Sequence, residues 1–135
     1  MTDTKSSIIK DNIKMSIPNK PEYVSVVRLT TSALANKIGF NIEEIDDIKV
    51  AIAEACTFLL KSKLNNENFN IEYNLFDTKL SIKVRGSRPN TESKECKENI
   101  LGLFIIESLM DEVGFNKDND FIEIIMIKEI KDVVK

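Results

Sequence analysis

The stretch "NIEEIDDIKVAIAEACTFLLKSKL", Asn41 to Leu64, sets the reading of the fold. Asn41 followed by Glu44 has the spacing of a capping box. Glu43, Glu44, Asp46 and Asp47 crowd the first turns, where the helix dipole favours carboxylates, and Lys61 and Lys63 fall in the last. Both ends agree on one long helix. From Val50 to Leu60 almost every residue is apolar or small, except Glu54. Glu54 is four residues after Val50 and four before Phe58, so the three share a face, with Ile48, Ala51 and Ala55 close by. A carboxylate buried there without a partner would be costly. It either reaches solvent at the edge of the face or lines a cleft between this helix and a neighbouring loop, where a substrate group would sit.

Outward from this helix the periodicity changes twice. Upstream, residues 1–10 read as a flexible tail, and "NIKMSI" alternates Ile13, Met15 and Ile17 against polar neighbours, as a half-buried strand does. Pro18 and Pro21 end it. "EYVSVVRLTTSALANKIGF" repeats Val24, Val27, Leu34 and Ile38 at helical spacing, with Gly39 as a stop. Downstream, "NNEN" is a loop, and "FNIEYNLF" and "KLSIKV" alternate as a hairpin turning at Asp77-Thr78. "RGSRPNTESKECKEN" is a polar loop of a length that is usually functional or disordered. "ILGLFIIESLMDEV" reads as a third helix that Gly114 ends, unless Gly114 opens a turn, and "GFNK" and "FIEIIMIKEI" close the chain as a hairpin around "DND". The order β-α-α-β-β-α-β-β predicts an α+β two-layer sandwich, a mostly antiparallel sheet covered by helices on one face. One domain over residues 11–130 accounts for the pattern.

Composition excludes several classes of function. The 135 residues are 42% hydrophobic and 30% charged with a net charge of −3, which suits a globular domain and lacks the basic stripe of a nucleic-acid binder. There is no histidine to serve as base, phospho-acceptor or zinc ligand. Cys56 and Cys96 form neither a disulfide framework nor a metal pattern. No apolar run approaches the ~20 residues that span a bilayer, and the N-terminus has no signal-peptide core. The expected location is cytoplasmic.

The segments "PNKPEYVSVVRLTTSALANKIGF", "IEEIDDIKVAIAEACT" and "LGLFIIESLMDEV" resemble the bacterial anti-sigma-factor serine kinases of sporulation and general-stress control. These lie within the Bergerat-fold (GHKL) ATPase superfamily. The resemblance covers about residues 11–128 in the right order. It implies the histidine-kinase-like ATPase fold and a homodimer. It further implies a transcription regulator that binds a sigma factor and uses Mg-ATP to phosphorylate a serine of an anti-anti-sigma antagonist. Glu54 matches the family's general base, a role that suits a carboxylate near a γ-phosphate. Partner contacts are expected on the first helix and its junction with the second, at Glu22, Tyr23, Arg28, Asn36 and Asn41.

Three nucleotide-binding positions depart from that pattern. Phe58 stands where the family has the asparagine that helps to hold magnesium, and a benzyl ring offers no oxygen to a hard cation. Ser62 replaces a frequent histidine. Gly86 falls where an aspartate would accept the adenine amino group, and Arg88 falls where a glycine would let the backbone approach the base. Arg85 and Arg88 are left to meet phosphate, a partner's acidic patch or solvent. Of the glycine-rich lid only Gly102 remains. Together these predict a regulator whose ATP binding is lost or weakened, needing no cofactor, with Glu54 as a relic of the base. The alternative is an active serine kinase that uses ATP and Mg with a different metal shell.

Overall fold

The computed structural model describes residues 8–61, 68–87, 99–118 and 120–131. In chain order these form β1 (Asp11–Pro18), a 3-10 turn (Pro21–Tyr23), α1 (Val24–Ile38), α2 (Ile42–Leu60), β2 (Asn68–Leu75), β3 (Lys79–Ser87), α3 (Asn99–Leu109), β4 (Glu112–Lys117) and β5 (Phe121–Glu129). The strands make one sheet in the order β1-β2-β3-β5-β4, with every neighbouring pair antiparallel. The expected two-layer α+β architecture is the observed one.

Strand alternation sorts side chains onto two faces. Ile17, Phe69, Ile71, Tyr73, Leu80, Ile82, Val84, Ile122, Ile124 and Met126 point under the helices and are buried. Ile13 and Met15 also pack on this core, so the apolar side of β1 is covered by the chain's own helix layer. The other face is polar on β1–β3 and carries Phe121, Ile125 and Ile127 of β5. Cross-strand rows there bring Glu72 opposite Lys83 and Arg85 opposite Glu123.

Caps and turns explain the joints. α1 ends at Gly39, whose φ of 111° is a left-handed C-terminal cap, with its N–H reaching the carbonyls of Ala35 and Asn36. α2 starts with the capping box that the sequence predicts: Asn41 Oδ1 accepts from Glu44 N, and Glu44 Oε1 accepts from Asn41 N, both at 2.8 Å. Asp77 and Thr78 turn the β2–β3 hairpin, closed by the bond from Phe76 N to Lys79 O. α1 is tied to the sheet by a buried hydroxyl pair, Thr31 Oγ1 and Tyr73 OH at 2.7 Å, with Thr31 also donating to Val27 O.

Two expectations need correction. α3 stops at Leu109, before "MDEV"; Asp111 N then bonds Ile127 O, which starts β4 pairing with β5. Gly114 therefore ends no helix; it sits inside β4 opposite Ile125. Of the expected polar loop, Arg85, Gly86 and Ser87 instead continue β3 and Asn99 opens α3; residues 88–98 lie outside the described residues.

Candidate functional site

The middle helix presents Val50, Glu54 and Phe58 along one stripe, and their environments differ steeply. Val50 is exposed, Glu54 is half-buried, and Phe58 is 7% exposed. Glu54 lies at the contact between α2 and α3, against a helix and not the loop expected to face it. A β-carbon placed on Gly102 would stand 3.0 Å from Glu54 Oε1, so the carboxylate lies directly against the α3 backbone. Only a residue without a side chain allows that approach unshifted.

Phe58 points down into the sheet. Its ring meets Phe115 of β4 edge-on, with centroids 5.5 Å apart and planes at 80°. Phe115 opposes Ile124, which in turn opposes Val84; Gly86 lies two residues beyond Val84, also buried. Glu54, Phe58, Gly86 and Gly102 thus belong to one end of the helix–sheet sandwich. Ser62 and Arg88 lie outside the described residues, as does Cys96.

Chemically this end is poor in donors for a metal-bridged nucleotide. The Phe58 position holds a buried ring and the Gly86 position a glycine hydrogen, where an amide and a carboxylate were expected. Among the described residues no group of histidine, cysteine, aspartate or glutamate gathers to hold a metal. Phe58 and Gly86 bring no side-chain oxygen to this end, for a magnesium ion or for a base. Arg85 does not repair the deficit, because it faces the opposite side of the sheet. There its guanidinium stacks over Phe121 at 3.9 Å and pairs with Glu123 at 3.6 Å.

The expected partner residues are at the surface. Glu22 and Tyr23 occupy the 3-10 turn, Arg28 and Asn36 are exposed on α1, and Asn41 is exposed at the head of α2. Asn41 spends its side-chain oxygen on the helix cap. The sequence reading missed Val26 and Leu29, which are 43% and 71% exposed. With Ala33 they form a solvent-facing apolar stripe at i, i+3 and i+7. Its signal was available: the core face of α1 already accounts for Val27, Thr31 and Ala35, so apolar residues out of phase with them have no place inside. Also missed were two nearly buried charges, Glu123 and Lys128.

An antiparallel sheet roofed on one face by helices is the fold of a histidine kinase-like ATPase domain. The model of that domain matches residues 17–128. The chain belongs to this family, and within it to the serine-protein kinases of the RsbW type. It is 33% identical to the serine-protein kinase RsbW of Listeria innocua, over 90% of this chain and 89% of that protein. It is 38% identical to that of Oceanobacillus iheyensis, over 78% and 79%, and 35% identical to that of Bacillus velezensis, over 76% of each. The fold also matches the crystal structure of the RsbU and RsbW domains of Rv1364c from Mycobacterium tuberculosis, with a TM-score of 0.71 at 14% identity. That match covers 89% of this chain and 32% of the longer one.

Proposed function

We propose that this protein is a partner-switching regulator: an anti-sigma-factor-like domain that binds a sigma factor, an anti-anti-sigma antagonist or both, with lost or weakened use of ATP. The observation that carries the second half is Phe58, a buried ring packed on Phe115 at the position where the family holds magnesium. Relatives named as serine-protein kinases, and a family model that spans most of the chain, support the first half. The regulator acts in the cytoplasm as a single domain over residues 11–130. The described residues contain no helix long and apolar enough to cross a membrane.

The proposed partner surface is α1 and its approach, where Glu22, Tyr23, Arg28, Asn36 and Asn41 frame the exposed Val26 and Leu29. The proposal includes a homodimer formed on the sheet side near β1. β1 is an edge strand, and edges are where a second sheet can join. Light scattering checks this directly: a mass near the 15.4 kDa of one chain at tens of micromolar would contradict it.

Calorimetric titration with Mg-ATP and Mg-ADP tests the nucleotide half. Weak or absent heat is expected. Micromolar affinity, together with antagonist phosphorylation that Glu54→Gln abolishes, would establish the active kinase instead. Co-purification with a sigma factor tests the regulatory half independently.

A further inference from the structure

Lys128 is a lysine in the wrong place. It lies on the helix-covered face of β5, in phase with Ile122, Ile124 and Met126, and is 7% exposed. Burying an ammonium is expensive unless its hydrogens are used. One hydrogen bond goes to the end of α3, and the charge faces a carboxylate of α2. Lys128 Nζ donates to the carbonyl of Leu109, the last residue of α3, and stands 3.8 Å from Asp47 Oδ2 of α2. The first partner is one of the carbonyls that a helix end leaves unsatisfied, at the negative end of its dipole.

The second contact between these helices is Glu54 against Gly102. Asp47 precedes Glu54 by seven residues on α2, and Leu109 follows Gly102 by seven on α3. The helices therefore run antiparallel with matched contacts, about 10 Å apart along each axis at 1.5 Å per residue. One end of the α2–α3 seam is tied from below by a cation. The other end is a steric contact between a carboxylate and a bare backbone.

We propose that Lys128 is a positioning residue: it fixes the end of α3 against α2 and thereby keeps Gly102 on Glu54. Its consequence for function rests on the reading of the Glu54 end as the family's site. The positioning itself does not, and it is measured separately. The tie acts on the seam and not on the sheet, because the apolar stem of Lys128 packs in line with its neighbours on β5 whichever head group it carries.

The test is amide hydrogen exchange on the full-length 15N-labelled chain. Lys128→Met keeps the stem and removes the charge. The expected result is at least ten-fold faster exchange at Ile105–Leu109 relative to β3 and β5 amides, with a displaced Gly102 amide resonance. Asp47→Asn, which removes the ion pair and leaves the bond to Leu109, should show the same pattern more weakly. It carries the test alone if Lys128→Met does not fold. Exchange that rises equally in α3 and the sheet, or an unmoved Gly102 resonance, would overturn the proposal. Nucleotide or partner titrations that contradict the functional reading leave this result untouched.

Discussion

The ring of Phe58 on α2 and that of Phe115 on β4 meet as a T, 5.5 Å between centroids. This contact joins the helix layer to an edge strand of the sheet. In the proposed function it also fills, with carbon, the position expected of a metal ligand. Phe58→Asn therefore tests two ideas at once. Truncating a buried ring costs about 3–5 kcal/mol, and the new amide is unpaired among apolar groups. We expect a large loss in denaturant midpoint and little gain in Mg-ATP affinity, since Gly86 still offers no acceptor for the base. A variant that folds normally and binds nucleotide tightly would show that the ring was the single obstacle.

Gly102 should behave differently. Its added β-carbon would meet Glu54 Oε1, the far end of a flexible side chain, so the carboxylate can swing aside. In a helix interior alanine is also favoured over glycine by about 1 kcal/mol. Gly102→Ala is expected to leave stability unchanged or slightly raised while displacing Glu54. Thermal unfolding, paired with carboxyl-carbon NMR of Glu54, reads the two effects separately.

Gly39 has no such latitude, because its φ of 111° is the constraint and not its neighbours; Ile130 Cδ1 would be 3.8 Å from an added β-carbon. Gly39→Ala should cost about 1–2 kcal/mol. Equilibrium unfolding in urea checks the loss.

The contrast between these positions bears on what the sequence made legible. Period and caps were readable because they are local: the Asn41–Glu44 box, the Gly39 stop and the Asp77-Thr78 turn each depend on a few adjacent residues. The end of α3 was not readable, since "MDEV" continues a helical pattern and only pairing of Asp111 and Val113 with β5 overrides it. At the candidate site the sequence singled out Glu54, Phe58, Gly86 and Gly102 as expectations, but not the contacts that Glu54 and Phe58 make. Phe115 could not be singled out, because its partner is 57 residues away. Lys128 was not singled out, because its burial depends on which face of β5 lies beneath the helices.

Asp111 carries a pH dependence. Burial alone would raise its pKa, but hydrogen bonds from Lys131 Nζ and Glu129 N, with the charges of Lys131 and Lys128, outweigh that and hold it below 3.8. A depressed carboxyl stabilises the fold above its unfolded pKa and loses that contribution as pH falls through the folded one. Lys131 is shifted the other way, chiefly by its bond to Asp111, so its contribution is complete below 10.5 and fades as pH rises through the folded value. Asp111→Asn should therefore be less stable than wild type between these limits, with the difference shrinking below pH 3.8 and above pH 10.5. A difference that is constant across the range would mean that the shared bonds, and not the charges, matter.

The exposed stripe of α1 gives the sharpest test of the partner surface. Leu29 is 71% exposed, so Leu29→Glu should alter folding stability by no more than about 0.5 kcal/mol. If that leucine seats in a partner, burying a carboxylate in its place should cost binding about 2 kcal/mol or more, roughly thirty-fold. Arg28→Glu probes the charged flank of the same helix and should weaken binding as well. Glu54→Gln, on the α2–α3 seam, should leave affinity unchanged. Calorimetry against a co-purified sigma factor orders the three variants. Full affinity in both α1 variants would move the interface off this helix. Loss in Glu54→Gln with α1 intact would place it over the α2–α3 seam, where Glu54 would then be a contact residue and not the relic of a base.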